Sequence, residues 1–274
     1  MRVALRRAAH QIFDSPKILD DPLALRIIGD EEARKLKATA AMEQNRVSRA
    51  FRAFMAVRSR YAEDQLARAV SRGAMQYVVL GAGLDTFAYR NPFPEGNLRV
   101  FEVDHPATQE WKREKLAAAA IAIPATLSFA PVDFERQTLE EGLEAAGFDL
   151  RKPAFFSWLG VTMYLTEGAV MKTLDFVASL PRGGGIAFDY AVPKHALGFL
   201  GRLAFEAISN RVAGAGEPFR TFFEPRTLVT KLSEIGFQSI EDLGTEELNA
   251  RYFGGRRDGL RVGGSLARLI GAEV

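Results

Sequence analysis

The sequence contains no cysteine and only three histidines. The absence of cysteine excludes a disulfide framework, a thiolate metal site and a cysteine nucleophile. His10, His105 and His195 lie far apart along the chain, and no two of them have the spacing of metal ligands on one helix. We therefore predict no metal site.

Long apolar runs and a strong excess of one charge are also missing. The chain has 36 basic and 34 acidic residues, a formal net charge of +2, whereas a nucleic-acid-binding protein usually carries a concentrated basic stripe. Arg6, Arg7 and His10 interrupt the first apolar residues, which are typical of neither a signal peptide nor a membrane span. We expect a cytoplasmic protein that binds neither nucleic acid nor a membrane.

The residues that are present fall into two stretches of different pattern. Residues 1–72 have helical spacing, and after Gly73 short apolar runs alternate with helical segments. The runs predicted as strands are 77–80, 98–103, 125–132, 154–159, 185–190, 238–243 and 265–270, and helices are predicted at 107–120, 139–146 and 166–180. Alternating strands and helices predict right-handed crossovers and a doubly wound, mostly parallel seven-stranded sheet.

This pattern predicts an α/β protein that forms one structural unit. An N-terminal helical cap is expected over residues 1–72, and an α/β domain over residues 73–274. Residues 198–223 are apolar with scattered arginines, so we predict a helical lid near 194–223. An ordinary core helix is the alternative for that segment.

The first predicted strand ends in GAGLDT, residues 81–86. The Gly81-x-Gly83 turn lets backbone approach a ligand closely, although a tight strand-to-helix turn has the same pattern. A dinucleotide site needs a third glycine where this chain has Thr86, and the carboxylate of Asp85 would repel a diphosphate. S-adenosylmethionine carries a positive ammonium and sulfonium, so the turn favours this methyl donor over NAD.

Two further acids follow neighbouring strands. Asp104 ends the second strand about 20 residues after the turn, the spacing expected of an acid that binds a ribose. Asp133 follows the third strand, where its carboxylate is suited to the adenine amino group, with the ring of Phe134 near the base. The alternative role for both acids is to cap the helices that start near Pro106 and Glu135.

Candidates for acceptor chemistry follow the fourth and fifth strands. Tyr164 is predicted to line the acceptor pocket and orient the acceptor, with core packing as the alternative. His195 is a candidate base, with a surface position as the alternative. Methyl transfer requires in-line alignment and exclusion of water. A carboxylate acceptor is already ionised and needs no base, whereas a hydroxyl acceptor benefits from one.

Six strings extend these observations across nearly the whole chain. They are FDSPKILDDPLA, RSRYAEDQLARAV, VVLGAGLDTFAYR, VFEVDHPATQEWKREKL, FFSWLGVTMYLT and RYFGGRRDGLR. In this order they resemble the leucine carboxyl methyltransferase family, in particular its bacterial branch of S-adenosylmethionine-dependent O-methyltransferases, some linked to polyketide tailoring. The resemblance implies a Rossmann-like class I methyltransferase fold with S-adenosylmethionine as the cofactor.

The resemblance also implies roles for individual residues. An arginine of the helix before the first strand, Arg58 or Arg60, grips the carboxylate of the donor's methionine part, and we expect Arg58. The other implied donor contacts coincide with those reached from the strand ends: Gly81, Gly83, Asp104, Asp133 and Phe134.

Two positions depart from the family pattern. Eukaryotic members carry a Glu that follows the fourth strand and touches the donor, and Leu159 stands at the corresponding place. Bacterial relatives often have Arg where this chain has Phe87, so a charged contact is missing there. We include Asp85 and Leu159 among the expected donor contacts.

These observations predict an S-adenosylmethionine-dependent O-methyltransferase that acts on a carboxylate or hydroxyl of a small, largely apolar molecule. Carboxyl methylation of a protein C-terminus or of a modified tRNA base is one alternative. An NAD-dependent oxidoreductase is another. A donor-binding protein without turnover is the third, and the departure at Leu159 keeps it open.

We expect the substitution Asp104→Ala to weaken donor binding by about 1–3 kcal/mol, because the ribose hydroxyls lose their acceptor. Calorimetric titration with S-adenosylmethionine and S-adenosylhomocysteine measures this loss. Unchanged affinity would show that Asp104 does not bind the ribose.

Overall fold

The computed structural model describes residues 1–94, 96–133, 136–196 and 219–274. Its strands are β1 (Gln76–Leu80), β2 (Arg99–Asp104), β3 (Leu127–Pro131), β4 (Ala154–Trp158), β5 (Gly185–Ala191), β6 (Gln238–Leu243) and β7 (Ala267–Glu273). They form one seven-stranded sheet in the order β3-β2-β1-β4-β5-β7-β6. The first five strands are parallel, and β7 runs antiparallel to both β5 and β6. The predicted doubly wound, mostly parallel sheet is confirmed.

Ten α-helices occur in the described part of the chain. They are α1 (Arg2–Phe13), α2 (Ala24–Ile28), α3 (Asp30–Ala38), α4 (Ala40–Glu43), α5 (Arg46–Ser71), α6 (Pro106–Ala118), α7 (Leu139–Ala145), α8 (Glu167–Ala178), α9 (Pro225–Glu234) and α10 (Thr245–Tyr252). None of these helices combines the length and the apolar character needed to cross a bilayer. Residues 197–218 of the predicted lid lie outside the described residues, and 219–223 follow an irregular path.

The strand order creates a switch point at the centre of the sheet. From β1 the chain moves outward to β2 and β3, then returns to the other side of β1 with β4. Leu80 pairs with Trp158, so β1 and β4 end at the same level. Ligands of such sheets bind at the carboxyl ends of the strands on either side of the switch point. The loops after Leu80 and Trp158 therefore border the candidate crevice.

Both faces of the sheet are covered, which explains why the central strands read as continuous apolar runs. Val78 and Phe156 face a core completed by α7, α8 and α9. Tyr77, Val79 and Phe155 face the opposite core, which α5 completes. Helix α5 contacts β4, β5 and β7, so the N-terminal helices pack directly on the strands that carry the crevice.

The connection from β1 to β2 contains no α-helix in its described residues, which omit only position 95. A single 3-10 turn, Phe87–Tyr89, stands after the glycine turn, and the Phe87 ring packs edge-on against Tyr77 at 4.8 Å. Helices α1 and α2 share a core cluster with Leu84 and with Leu116 of α6. The N-terminal helices thus cover the face that follows the glycine turn.

A buried ion cluster holds these N-terminal helices together. Arg52 donates from Nε and Nη2 to the two oxygens of Asp14, at 2.7 and 2.8 Å. His10 Nδ1 lies 2.8 Å from the same carboxylate, and His10 Nε2 accepts from the N–H groups of Ile18 and Leu19. Burial acts to raise the pKa of Asp14, but the hydrogen bonds from Arg52 and His10 hold that pKa below its ordinary value.

We expect the substitution Arg52→Met to lower the free energy of unfolding by about 3–5 kcal/mol, because it leaves the buried Asp14 carboxylate without its main partner. The matched control is Arg60→Met on the same helix, where the side chain is 49% exposed and pairs with Asp64. That exposed pair is worth about 1 kcal/mol or less. Urea unfolding of both variants measures the difference, and equal losses would contradict the expectation.

Candidate functional site

The glycine turn packs tightly against the loop that follows β4. Gly81 has a φ of +67°, and a Cβ at this position would lie 2.6 Å from Val161 Cγ2. The N–H groups of Gly81 and Ala82 both donate to the carbonyl of Val103, at 2.9 and 3.1 Å. Only glycine satisfies both the backbone conformation and the space. The glycine therefore allows the turn and the loop after β4 to meet closely at the switch point.

Asp104 is held beside this turn. Gly83 N–H donates to Asp104 Oδ2 at 2.6 Å, and His105 N–H donates to Oδ1 at 2.8 Å. The side chain that caps α6 belongs to His105, whose Nδ1 accepts from Ala107 N–H at 3.3 Å. Capping of α6, the alternative role for Asp104, is therefore wrong. Both oxygens of this half-buried carboxylate already accept from backbone N–H groups, and its contact with the ribose stays a prediction.

Asp133 follows β3 by two residues and does not cap α7 either. Its carboxylate lies 3.4 Å from Arg136 Nε, whereas α7 begins with a reciprocal capping box between Thr138 and Glu141. Phe134, the other residue expected at the adenine, lies outside the described residues. An adenine contact by Asp133 stays a prediction.

Asp85 has a different environment from the one expected. Its Oδ2 pairs with Arg7 Nη1 at 3.0 Å, and its Oδ1 accepts from Phe87 N–H at 2.8 Å. Burial acts to raise the pKa of Asp85, but the charges of Arg7, Lys112 and Arg90 hold it below its ordinary value. Since both oxygens already accept, Asp85 shapes the turn, and its contact with the donor stays a prediction.

Thr86 is buried and fastens the turn to the N-terminal helices. Its hydroxyl donates to Asp21 at 2.7 Å and accepts from Arg7 Nη2 at 2.5 Å. Because Arg7 neutralises Asp85, repulsion of a diphosphate is weaker than the sequence indicated. The stronger argument against NAD is that a 3-10 turn, not an α-helix, follows the glycines in the described residues. A pyrophosphate would find no helix N-terminus there.

Of the two candidate arginines, Arg58 is the one at the crevice. Its side chain is 6% exposed, and Nη1 donates to Asp189 Oδ2 at 2.9 Å. A Cβ at Gly160 would lie 2.9 Å from Arg58 Nη1 and 3.0 Å from Nη2, so the guanidinium lies against the loop after β4. Arg60 is exposed and pairs with Asp64 on its own helix. This supports the choice of Arg58.

Asp189 on β5 was not expected from the sequence. Its Oδ1 accepts from Gly160 N–H at 2.5 Å, and its carbonyl accepts from Thr162 Oγ1 at 2.6 Å. One signal was available: an acid in the apolar run GIAFDYAV must be buried, and a buried charge needs a partner. The identity of that partner was not readable.

Leu159 and Asp189 lie at the same level of the sheet, because Trp158 pairs with Phe188 one residue earlier. Leu159 is half-buried and packs against the core on the α5 side. The carboxylate at this level therefore stands on β5 and not after β4.

Tyr164 lies in a 3-10 turn, Thr162–Tyr164, and is half-buried. Its ring centroid is 5.6 Å from that of Phe219. The next residues border an open cavity of about 330 Å³ lined by Thr166, Glu167, Arg220, Thr221 and Phe222. Tyr164 itself does not line this cavity, and its role in orienting the acceptor stays a prediction. His195, 75% exposed and paired with Glu224, occupies the surface position given as its alternative.

We expect the substitution Gly160→Ala to weaken binding of S-adenosylhomocysteine by about 1–2 kcal/mol, because the new Cβ displaces the Arg58 guanidinium. Gly160 also has a φ of +74°, which strains an alanine. The control is Gly168→Ala in α8, where a Cβ meets no atom within 4 Å. Calorimetry on both variants measures the effect, and equal affinities would contradict it.

Comparisons with known proteins identify the family. The family model described as leucine carboxyl methyltransferase matches residues 1–178. A Bacillus subtilis protein named "Putative S-adenosyl-L-methionine-dependent methyltransferase YktD" is 34% identical to this chain. The alignment covers 94% of this chain and 91% of the Bacillus protein. A Mycobacterium avium protein with the same general name is 38% identical over 53% of this chain and 45% of its own length.

Solved structures support the fold. A structure titled as a "putative methyltransferase" from Thermobifida fusca aligns with a TM-score of 0.58 at 15% identity, over 99% of this chain and 93% of that chain. A DUF574 family protein from Streptomyces avermitilis aligns with a TM-score of 0.50 at 17% identity, over 98% and 96%. With the family match and the Bacillus relative, we conclude that this chain belongs to the leucine carboxyl methyltransferase family and is an S-adenosylmethionine-dependent methyltransferase.

Proposed function

We propose that the protein methylates an oxygen atom, of a carboxylate or a hydroxyl, on a small and largely apolar molecule. The observation that carries this proposal is the aromatic wall after β4. Tyr164 packs on Phe219 at 5.6 Å, and Phe219 packs edge-on against Phe222 at 6.2 Å. These rings adjoin the loop that contacts the glycine turn, so an apolar acceptor bound against them lies beside the donor crevice.

The residues around the crevice fit the methyl donor. The Gly81 turn brings backbone without a side chain to the switch point, packed closely against Val161, and Arg58 offers a buried cation for the donor carboxylate. We assign Asp104, which follows β2, to the ribose and Asp133, which follows β3, to the adenine. When bound, S-adenosylmethionine supplies a methyl carbon made electrophilic by its sulfonium. The protein's own task is to align the acceptor and exclude water.

A carboxylate acceptor is favoured over a hydroxyl. Among the described residues around Tyr164, no histidine or acid is both buried and without a partner. Asp189 is paired with Arg58, and His195 and Glu224 pair at the surface. A carboxylate is ionised at neutral pH and requires orientation only, whereas a hydroxyl acceptor benefits from a base. The nucleophilic oxygen forms its bond to the methyl carbon as the carbon–sulfur bond breaks.

We expect label from methyl-tritiated donor, incubated with the protein and a bacterial extract, to enter the small-molecule fraction extracted by organic solvent. Mild base should release the label as methanol, because methyl esters hydrolyse where methyl ethers do not. Label retained through base treatment would favour a hydroxyl acceptor. Label on protein or RNA would contradict a small-molecule acceptor.

The variant Tyr164→Ala tests the acceptor side of the site in the same assay. This variant should bind S-adenosylhomocysteine as the unchanged protein does and transfer less label, because only acceptor alignment is affected. Loss of S-adenosylhomocysteine binding would instead assign Tyr164 to the donor crevice.

A further inference from the structure

Asp189 is a buried acid that the expected donor contacts do not include. We propose that Asp189 is a positioning residue that holds the Arg58 guanidinium and the loop at Gly160 in the arrangement that receives the donor carboxylate. The inference rests on the role of Arg58 in the proposed function. It concerns how that arginine is oriented, and it assigns no direct contact between Asp189 and the donor.

All the polar atoms of Asp189 beyond its own N–H are occupied. One carboxylate oxygen accepts from Arg58 Nη1 at 2.9 Å, and the other accepts from Gly160 N–H at 2.5 Å. The carbonyl accepts from Thr162 Oγ1 at 2.6 Å. The Asp189 side chain is 1% exposed. An ionised carboxylate at this depth is stable only with such partners, so Asp189 orients its neighbours and does not act on the donor itself.

The ion pair with Asp189 uses only one of the three nitrogens of the Arg58 guanidinium. Nη1 is bound to Asp189, whereas Nη2 and Nε of Arg58 make no hydrogen bond with the described residues. Nη2 lies 3.0 Å from the place of a Cβ at Gly160, at the loop that borders the crevice. Arginine binds carboxylates best through two parallel N–H groups in a fixed plane. Asp189 fixes that plane before the donor arrives.

The same residue connects the donor crevice with the acceptor wall. The Thr162 hydroxyl, bound to the Asp189 carbonyl, belongs to the 3-10 turn that ends at Tyr164. This second link uses the backbone of Asp189 and survives a change of its side chain. A side-chain substitution therefore tests the link to Arg58 separately from the link to Tyr164.

A merely structural role makes a different prediction. If the pair only fastens α5 to β5, its loss destabilises the fold and weakens every ligand to a similar extent. If Asp189 acts through Arg58, the loss is confined to ligands that carry the amino-acid carboxylate. S-adenosylhomocysteine carries this group, and 5′-methylthioadenosine shares the nucleoside but lacks it. The ratio of the two dissociation constants separates the two roles.

The experiment measures both ligands by calorimetry on the full chain and on Asp189→Asn, Arg58→Met and the double variant. We expect Asp189→Asn to weaken S-adenosylhomocysteine by about tenfold or more and 5′-methylthioadenosine by less than about twofold. Arg58→Met should show the same selective loss, and the double variant should lose no more than Arg58→Met alone. Equal losses of both ligands, or losses that add in the double variant, would overturn the positioning role.

Two further variants keep the test decisive. Asp189→Asn leaves the buried Arg58 without a charged partner and could prevent folding. Asp189→Glu keeps the ion pair with Arg58 and shifts the carboxylate by one methylene, so it tests the same role in a folded protein. A selective loss of S-adenosylhomocysteine in this variant supports the proposal, and unchanged binding contradicts it. Asp242→Asn, which breaks the pair of Asp242 with Arg268 on β6 and β7, should leave both ligands unaffected. If Arg58→Met leaves the ratio of the two dissociation constants unchanged, the assignment of Arg58 to the donor carboxylate is wrong.

Discussion

Two buried ion pairs join arginines of the N-terminal helices to aspartates at the carboxyl edge of the sheet. Arg7 of α1 contacts Asp85 beside the glycine turn at 3.0 Å, and Arg58 of α5 contacts Asp189 of β5 at 2.9 Å. A buried ion without its partner is costly, so each pair persists only while helices and sheet remain packed together. The candidate crevice is therefore formed by residues of both the N-terminal helices and the sheet.

The path of the chain after the glycine turn favours one class of cofactor in the crevice. In the described part of the connection from β1 to β2, the chain makes a 3-10 turn, and α1 and α2 pack against Leu84 on that side. A helix N-terminus that would bind a pyrophosphate is therefore not available after the glycines. A nucleoside with a sulfonium and an amino-acid group does not need one. The family match agrees with this conclusion.

The departure at Leu159 has a structural counterpart on the next strand. Leu159 and Asp189 stand at the same level because β4 and β5 are paired in register. The apolar residue packs into the core, and the acid supplies the carboxylate that contacts Arg58 and Gly160. Neighbouring parallel strands end at one edge, so Asp189 stands beside the position of Leu159. Its carboxylate contacts Arg58 and Gly160, so it does not replace a carboxylate that touches the donor.

The sequence by itself determined the strands, the glycine turn and the position of Asp104. These depend on short-range patterns: apolar runs define strands, and the carboxyl ends of parallel strands meet at one edge. Only the tertiary structure decided what Asp85 and Asp189 contact. Their arginine partners lie 78 and 131 residues away in the sequence. A local pattern reveals that a charge is buried, but its partner is chosen by the packing of distant elements.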